Sequence, residues 1–235
     1  MRASAGKIRV KRGFFITFEG TEGTGKSTQA ALLEKELHRR GKSVVLTREP
    51  GGTKLGEDLR AILLGHSHAG LAAGAELFLY MADRAQHVAE TVAPALAEGK
   101  IVICDRFADA TMAYQGFGRG LSLETIELLN REATSGRMPD LTLLLDMPNV
   151  EGALARALKR NSDEGISGRE DRFEREEMEF HRRVQDGYRK VAEDEPQRFT
   201  LLSAALSIEE LRSRILERVL EALPQGDALR SGGVT

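Results

Sequence analysis

Near its N-terminus the chain reads Gly20-Thr21-Glu22-Gly23-Thr24-Gly25-Lys26-Ser27-Thr28. Glycines at this spacing, closed by a lysine and two hydroxyl residues, suit one kind of chemistry. Their backbone can turn with positive φ and come close to an anion. Successive N–H groups then point inward, and a following helix adds the partial positive charge of its N-terminus. Lys26 supplies a mobile cation for β- and γ-phosphates, and the Ser27 hydroxyl is placed to ligate Mg²⁺. The stretch matches G-x-x-x-x-G-K-S, the P-loop pattern of nucleotide-phosphate binding.

The pattern requires a buried strand before it and a helix after it. Phe14 to Phe18 is a short apolar run, and Leu32, Leu33 and Leu37 recur at helical spacing before Gly41. A second strand is expected over Ser43–Thr47, ending in the turn Arg48-Glu49-Pro50-Gly51-Gly52. Lys54–Leu64 reads as a helix. A longer helical pattern spans Leu71–Glu98, with Pro94 expected to kink or divide it. Ile101–Cys104 is a third strand, leading into Asp105-Arg106-Phe107. Tyr114–Gly120 reads as a glycine-rich loop; it lacks the preceding strand and the spacing of a dinucleotide fingerprint.

Further helices are expected over Ser122–Thr134, from an Asn149 N-cap to Arg160, over Arg172–Glu193, and from the Ser207/Glu210 capping box to Leu223. Strands are expected at Leu141–Leu145 and Phe199–Leu202, and Asn161–Gly168 is a polar loop. This alternation predicts an α/β fold with a largely parallel sheet, and ligands beyond the C-terminal ends of its strands. The chain, 1–235, reads as one domain with tails at 1–12 and 225–235.

Composition narrows the field. Hydrophobic residues make up 41% and charged residues 30% of 235, as in soluble globular proteins. No run approaches the roughly 18 apolar residues of a membrane span. Arg2, Lys7, Arg9, Lys11 and Arg12 make a basic N-terminus, read as a solvated tail. A net charge of −2 with no second basic patch argues against a nucleic-acid partner. A single cysteine, Cys104, points to a reduced, cytoplasmic setting, and its apolar neighbours to a buried structural thiol. His66 and His68 read as exposed rather than metal-binding.

Three features point from phosphate binding to phosphate transfer. Asp105 is followed by Arg106 rather than a second acid, which suggests a cation set between donor and acceptor phosphates, with Asp105 holding Mg²⁺; a structural salt bridge is the competing reading. Arg48 stands at the mouth of the second strand, where a second phosphate could arrive. Arg156, Lys159, Arg160, Arg169 and Arg172 could form a basic lid that excludes water. The interleaved acids Asp163, Glu164, Glu170 and Asp171 favour a plain solvated surface instead.

The P-loop F-E-G-T-E-G-T-G-K-S-T, with T-R-E-P-G-G, A-D-R-A-Q-H, D-R-F, A-Y-Q-G-F-G-R-G, D-M-P and D-R-F-E-R-E, resembles the bacterial thymidylate kinases over about Phe14 to Leu223. The resemblance implies a three-layer P-loop NTPase fold: a five-stranded parallel sheet flanked by helices, with a helical lid at about 156–172. It implies transfer of the γ-phosphate of Mg·ATP to dTMP, and a homodimer. Gly20 to Thr28 would hold ATP. Glu22 would lie near the dTMP sugar hydroxyl, Arg48 would grip its phosphate, and Arg106 would sit between the two nucleotides. Tyr80 would stack on the base, Arg84 would bond the thymine edge, Thr111 and Gln115 would line the pocket, and Tyr114 would lie under the sugar. Gly23, where one branch of the family has arginine, implies a catalytic arginine from the lid, with Arg160 and Arg169 as candidates. A kinase for another monophosphate, a nucleotide-dependent switch and a nucleic-acid module are the rival readings.

Overall fold

The computed structural model describes residues 13–65, 70–163 and 172–224. β1 (Phe14–Glu19) is buried at every position, as a strand covered on both faces must be. Phe14, Ile16 and Phe18 face one layer with Leu33 and Leu37 of α1 (Lys26–Arg39). Phe15 faces the other, where it meets Val102, Cys104 and Phe107. The period of two along the strand thus divides the core.

β2 (Val44–Arg48), β3 (Ile101–Asp105), β4 (Leu141–Asp146) and β5 (Phe199–Ser203) complete an all-parallel sheet in the order β2-β3-β1-β4-β5. The register sets Arg48 and Phe18 on either side of Asp105. Three strands therefore end level, and the residues that follow them share one edge.

α2 (Lys54–Leu64) is capped by Thr53, whose hydroxyl accepts from the Gly56 N–H. α3 (Ala73–His87) does not stop at Pro94. It passes through a wider turn, Val88–Val92, into α4 (Ala93–Ala97), and the Ala93 N–H donates to Val88 five residues back. The hydrogen-bond ladder has shifted before the proline, whose missing N–H falls in the first turn of α4. The expected division is absorbed there.

The segment read as a glycine-rich loop is helical. α5 (Ala108–Thr111) runs on as wide turns over Met112–Gly118. Gly118 serves close packing, for a Cβ there would lie 2.7 Å from the Phe180 ring, and on the partner side a Cβ on Gly187 would lie 2.7 Å from Phe117. The partner is α8 (Met178–Asp194), which starts after a short turn at Phe173–Arg175 rather than at Arg172. A buried pair, Asp109 with Arg198 at 2.7 Å, ties α5 to the start of β5.

α6 (Leu123–Thr134) is capped by Ser122, whose side chain accepts from the Thr125 N–H, and α9 (Ile208–Ala222) carries the expected Ser207/Glu210 capping box. α7 (Val150–Asp163) begins at Asn149, whose side chain accepts from the Gly152 N–H at 2.8 Å, and runs past Arg160. Cys104 is buried, and burial pushes its thiol pKa well up. No helix among the described residues is long and apolar enough to cross a membrane. Both tails, His66, His68 and Arg169 lie outside the described residues.

Candidate active site

A cleft opens at the C-terminal edge of the sheet. Glu22, Gly23, Lys26 and Ser27 line it from the P-loop, Arg48 from β2, and Asp105 and Arg106 from β3. Tyr80 and Arg84 come from α3, and Thr111, Tyr114 and Gln115 from α5 and the turns beyond it. The sequence placed all of these in one site. Gly20, Thr21, Thr24, Gly25 and Thr28 are not among the lining residues; they build the loop and the head of α1.

Gly20, Gly23 and Gly25 take φ of 133°, 72° and 90°. The contact at Gly23 is tight as well as left-handed, for a Cβ built there would overlap the Ala153 carbonyl oxygen of α7. Lys26 is buried, and its ammonium donates to the Thr21 carbonyl at 2.7 Å. Burial, and next the Arg106 charge, lower its pKa to about 8. The Ser27 hydroxyl donates to Asp105 Oδ2. These two hard oxygen ligands share the cleft with Lys26, a donor set that fits Mg²⁺ held otherwise by phosphates and water.

Arg106 has φ of 73°, uncommon for a residue with a side chain and costly unless the surroundings hold it. Its N–H donates to the Phe18 carbonyl and its own carbonyl accepts from Cys104. The guanidinium reaches the Gly20 carbonyl at 3.0 Å, the Tyr188 hydroxyl at 3.1 Å and Glu22 Oε1 at 3.0 Å. It also lies 4.9 Å over the Tyr114 ring. The Tyr188 hydroxyl donates in turn to Glu19 Oε2 at 2.9 Å, and the Phe107 N–H to Glu19 Oε1 at 2.7 Å. Burial, aided by Asp109, raises Glu19 to about 8.

Burial works against ionisation of Glu22 too, but Arg106 and Lys26 hold its carboxyl below the ordinary range. Its Oε1 also accepts from the Tyr114 hydroxyl, whereas its buried Oε2 has no hydrogen-bond partner. Arg48 pairs with Glu57 at 2.9 Å, both about half exposed. Arg84 is fully buried behind the cleft. Tyr80 remains a neutral phenol, its pKa raised by burial and by Glu76.

Some lining residues had no such role in the sequence. Arg60 and Glu49 follow from the fold of the turn after β2, and Phe173 lies in the short turn before α8. Arg60 donates to the Pro50 carbonyl at 3.0 Å. Of the two arginines expected in a lid, Arg160 lies on α7.

The family model for thymidylate kinase matches residues 18–215. A thymidylate kinase of Desulfovibrio desulfuricans is 55% identical over 191 residues, covering 81% of this chain and 88% of its own. One from Geotalea uraniireducens is 52% identical over 215 residues, 91% of this chain and its own full length. The crystal structure of thymidylate kinase from Ehrlichia chaffeensis aligns with a TM-score of 0.70 at 34% identity, over 89% of this chain and 99% of that one. With the P-loop, Arg48 and the Asp105-Arg106 pair meeting in one cleft, the extent of these matches makes the chain a member of the thymidylate kinase family.

Proposed function

We propose that the chain transfers the γ-phosphoryl group of ATP to dTMP, giving dTDP and ADP for dTTP synthesis. The observation that carries this reading is the meeting of two kinds of residue in one cleft. Lys26 and Ser27 line it together with Arg48, Arg84, Tyr80 and Tyr114. A phosphate binder thus shares one cleft with groups able to take a second anion bearing a flat, polar-edged ring.

A dTMP phosphate oxygen attacks the γ-phosphorus as the bond to the β–γ bridging oxygen breaks, and ADP leaves with that oxygen's negative charge. A phosphate monoester is already a competent nucleophile at neutral pH, so no general base is required. Lys26 and Arg106 position the phosphates and offset charge, joined by a lid arginine, Arg160 or Arg169. Ser27 and Asp105 would hold Mg²⁺, which neutralises phosphate charge when bound. Arg48 takes the acceptor phosphate. Glu22, held ionised beside Arg106 and Lys26, accepts from the sugar hydroxyl. Tyr80 stacks on the base, Thr111 and Gln115 line its pocket, and Tyr114 disfavours a ribose 2′-hydroxyl.

Two copies would associate through α3, where Phe78 is 64% exposed. A cytoplasmic setting fits the single buried thiol.

The test is ADP release with Mg·ATP and one monophosphate at a time: dTMP, dUMP, ribose TMP, dCMP, AMP and GMP. Turnover favouring dTMP supports the reading. Turnover favouring another acceptor discards the roles of Tyr80, Arg84 and Tyr114, and acceptor-independent behaviour discards the reaction.

A further inference from the structure

Arg84 is held from behind. Its Nε donates to Glu49 Oε2 at 2.9 Å, Nη1 donates to Thr111 Oγ1 at 2.9 Å and Asn130 Oδ1 at 2.7 Å, and Nη2 donates to the Phe107 carbonyl at 3.0 Å. A guanidinium carries about five N–H donors in a planar fork. One Nη2–H is left over, on a group whose plane cannot turn while these bonds hold.

Glu49 is itself buried, and its second oxygen takes His87 Nδ1 at 2.8 Å. His87 is fully buried, with Nε2 2.7 Å from the Thr47 hydroxyl. A carboxylate oxygen only accepts, so the imidazole donates through Nδ1. In the neutral ring the Thr47 hydroxyl therefore donates to Nε2. Thr47 and Glu49 belong to β2 and its exit, and Arg84 and His87 to neighbouring positions on one face of α3. The chain of bonds runs from strand to helix and ends on Arg84.

We propose that Glu49 and His87 are positioning residues that set base specificity by fixing the plane of Arg84. This rests on the reading that Arg84 meets the pyrimidine edge. A single fixed N–H meets a ring carbonyl and opposes an amino donor at the same place. That discrimination depends on the donor being unable to swing away. Without Glu49 the guanidinium keeps only its Nη contacts and loses the carboxylate that offsets its buried charge.

The experiment uses Glu49→Ala, Glu49→Gln, Arg84→Ala and the Glu49→Ala/Arg84→Ala double variant. KM for dTMP and ATP, and kcat/KM for dTMP against dCMP, are measured alongside the thermal midpoint. Glu49→Ala should raise KM for dTMP by about tenfold or more, move KM for ATP by less than about twofold, and narrow the dTMP/dCMP ratio. Glu49→Gln should restore most of the loss. Its carbonyl still accepts from Nε, while its amide N–H turns His87 to the other tautomer, which ¹⁵N shifts of the imidazole would report. In the Arg84→Ala background the Glu49→Ala change should add nothing.

A parallel rise in both KM values, no change in either, or an equal cost in both backgrounds would overturn the proposal. A strong Arg84→Ala effect with none from Glu49→Ala removes the positioning role alone. No effect of Arg84→Ala on KM or base preference removes the base-edge reading, and this role with it. Should Glu49→Ala fail to fold, His87→Ala is read by the same KM ratio, and an unchanged ratio overturns the proposal.

Discussion

Arg106, at the end of β3, crosses the mouth of the P-loop to meet Glu22 at 3.0 Å. The contact joins two segments 84 residues apart and keeps a partly buried guanidinium beside Lys26. On the proposed reading, removing either cation takes away a charge that offsets the transferring phosphate. Lys26→Ala and Arg106→Ala should each lower kcat by about a hundredfold or more. Steady-state kinetics with thermal melts checks this, and near-normal turnover by either variant would remove its role.

Arg48 makes a different kind of contact. Its ion pair with Glu57 is half exposed, and such pairs are worth at most about 1 kcal/mol. Little opposes its turning toward an incoming phosphate. Arg48→Ala should raise KM for the acceptor by about tenfold, leave KM for ATP nearly unchanged and scarcely move the melting temperature. A larger effect on ATP would place Arg48 on the donor side.

Lys26 carries a pKa lowered to about 8 by burial and by the Arg106 charge. A polyphosphate beside it favours the protonated form and raises that value. Nucleotide binding should therefore take up protons as pH passes 8, and affinity should fall with rising pH above it. Calorimetry at pH about 8.5, in buffers of differing ionisation enthalpy, measures the uptake. Lys26→Arg, which stays charged, should abolish it; equal uptake by wild type and variant would assign the proton elsewhere.

Glu19 has a folded pKa raised from 4.5 to about 8, chiefly by burial. Between those values the native state holds more protons at this site than the unfolded chain. Its contribution to stability is full below 4.5 and is lost as pH rises through 8. Glu19→Gln removes this dependence. In urea unfolding, the stability of the variant relative to wild type should climb from pH 5 to pH 8. A difference independent of pH would show that Glu19 titrates normally.

What could be read from the sequence was local. The P-loop, the Asn149 cap and the Ser207–Glu210 box are each written within a few residues, and the structure has them. Tyr114–Gly120 reads as a loop because of its glycines, yet Met112–Gly118 is helical. Gly118 is there instead to admit Phe180 and Val184 of α8, and Gly116 to admit Leu123 of α6, partners that local pattern cannot name. Glu19 and Tyr188, 169 positions apart, and Glu49 with His87, 38 apart, are ordinary residues until the fold joins them. The helical pattern across Pro94 is legible in the sequence, but only the ladder around the proline shows where the missing donor falls.

The contact between Gly23 and Ala153 bears on how such a site could change. The position beside the P-loop acid has no room for a side chain while the Ala153 carbonyl lies against it. An arginine introduced there by one substitution would have to displace the first turns of α7 before it reached any phosphate. A move to a P-loop cation is therefore closed to single steps. The helix must retreat first.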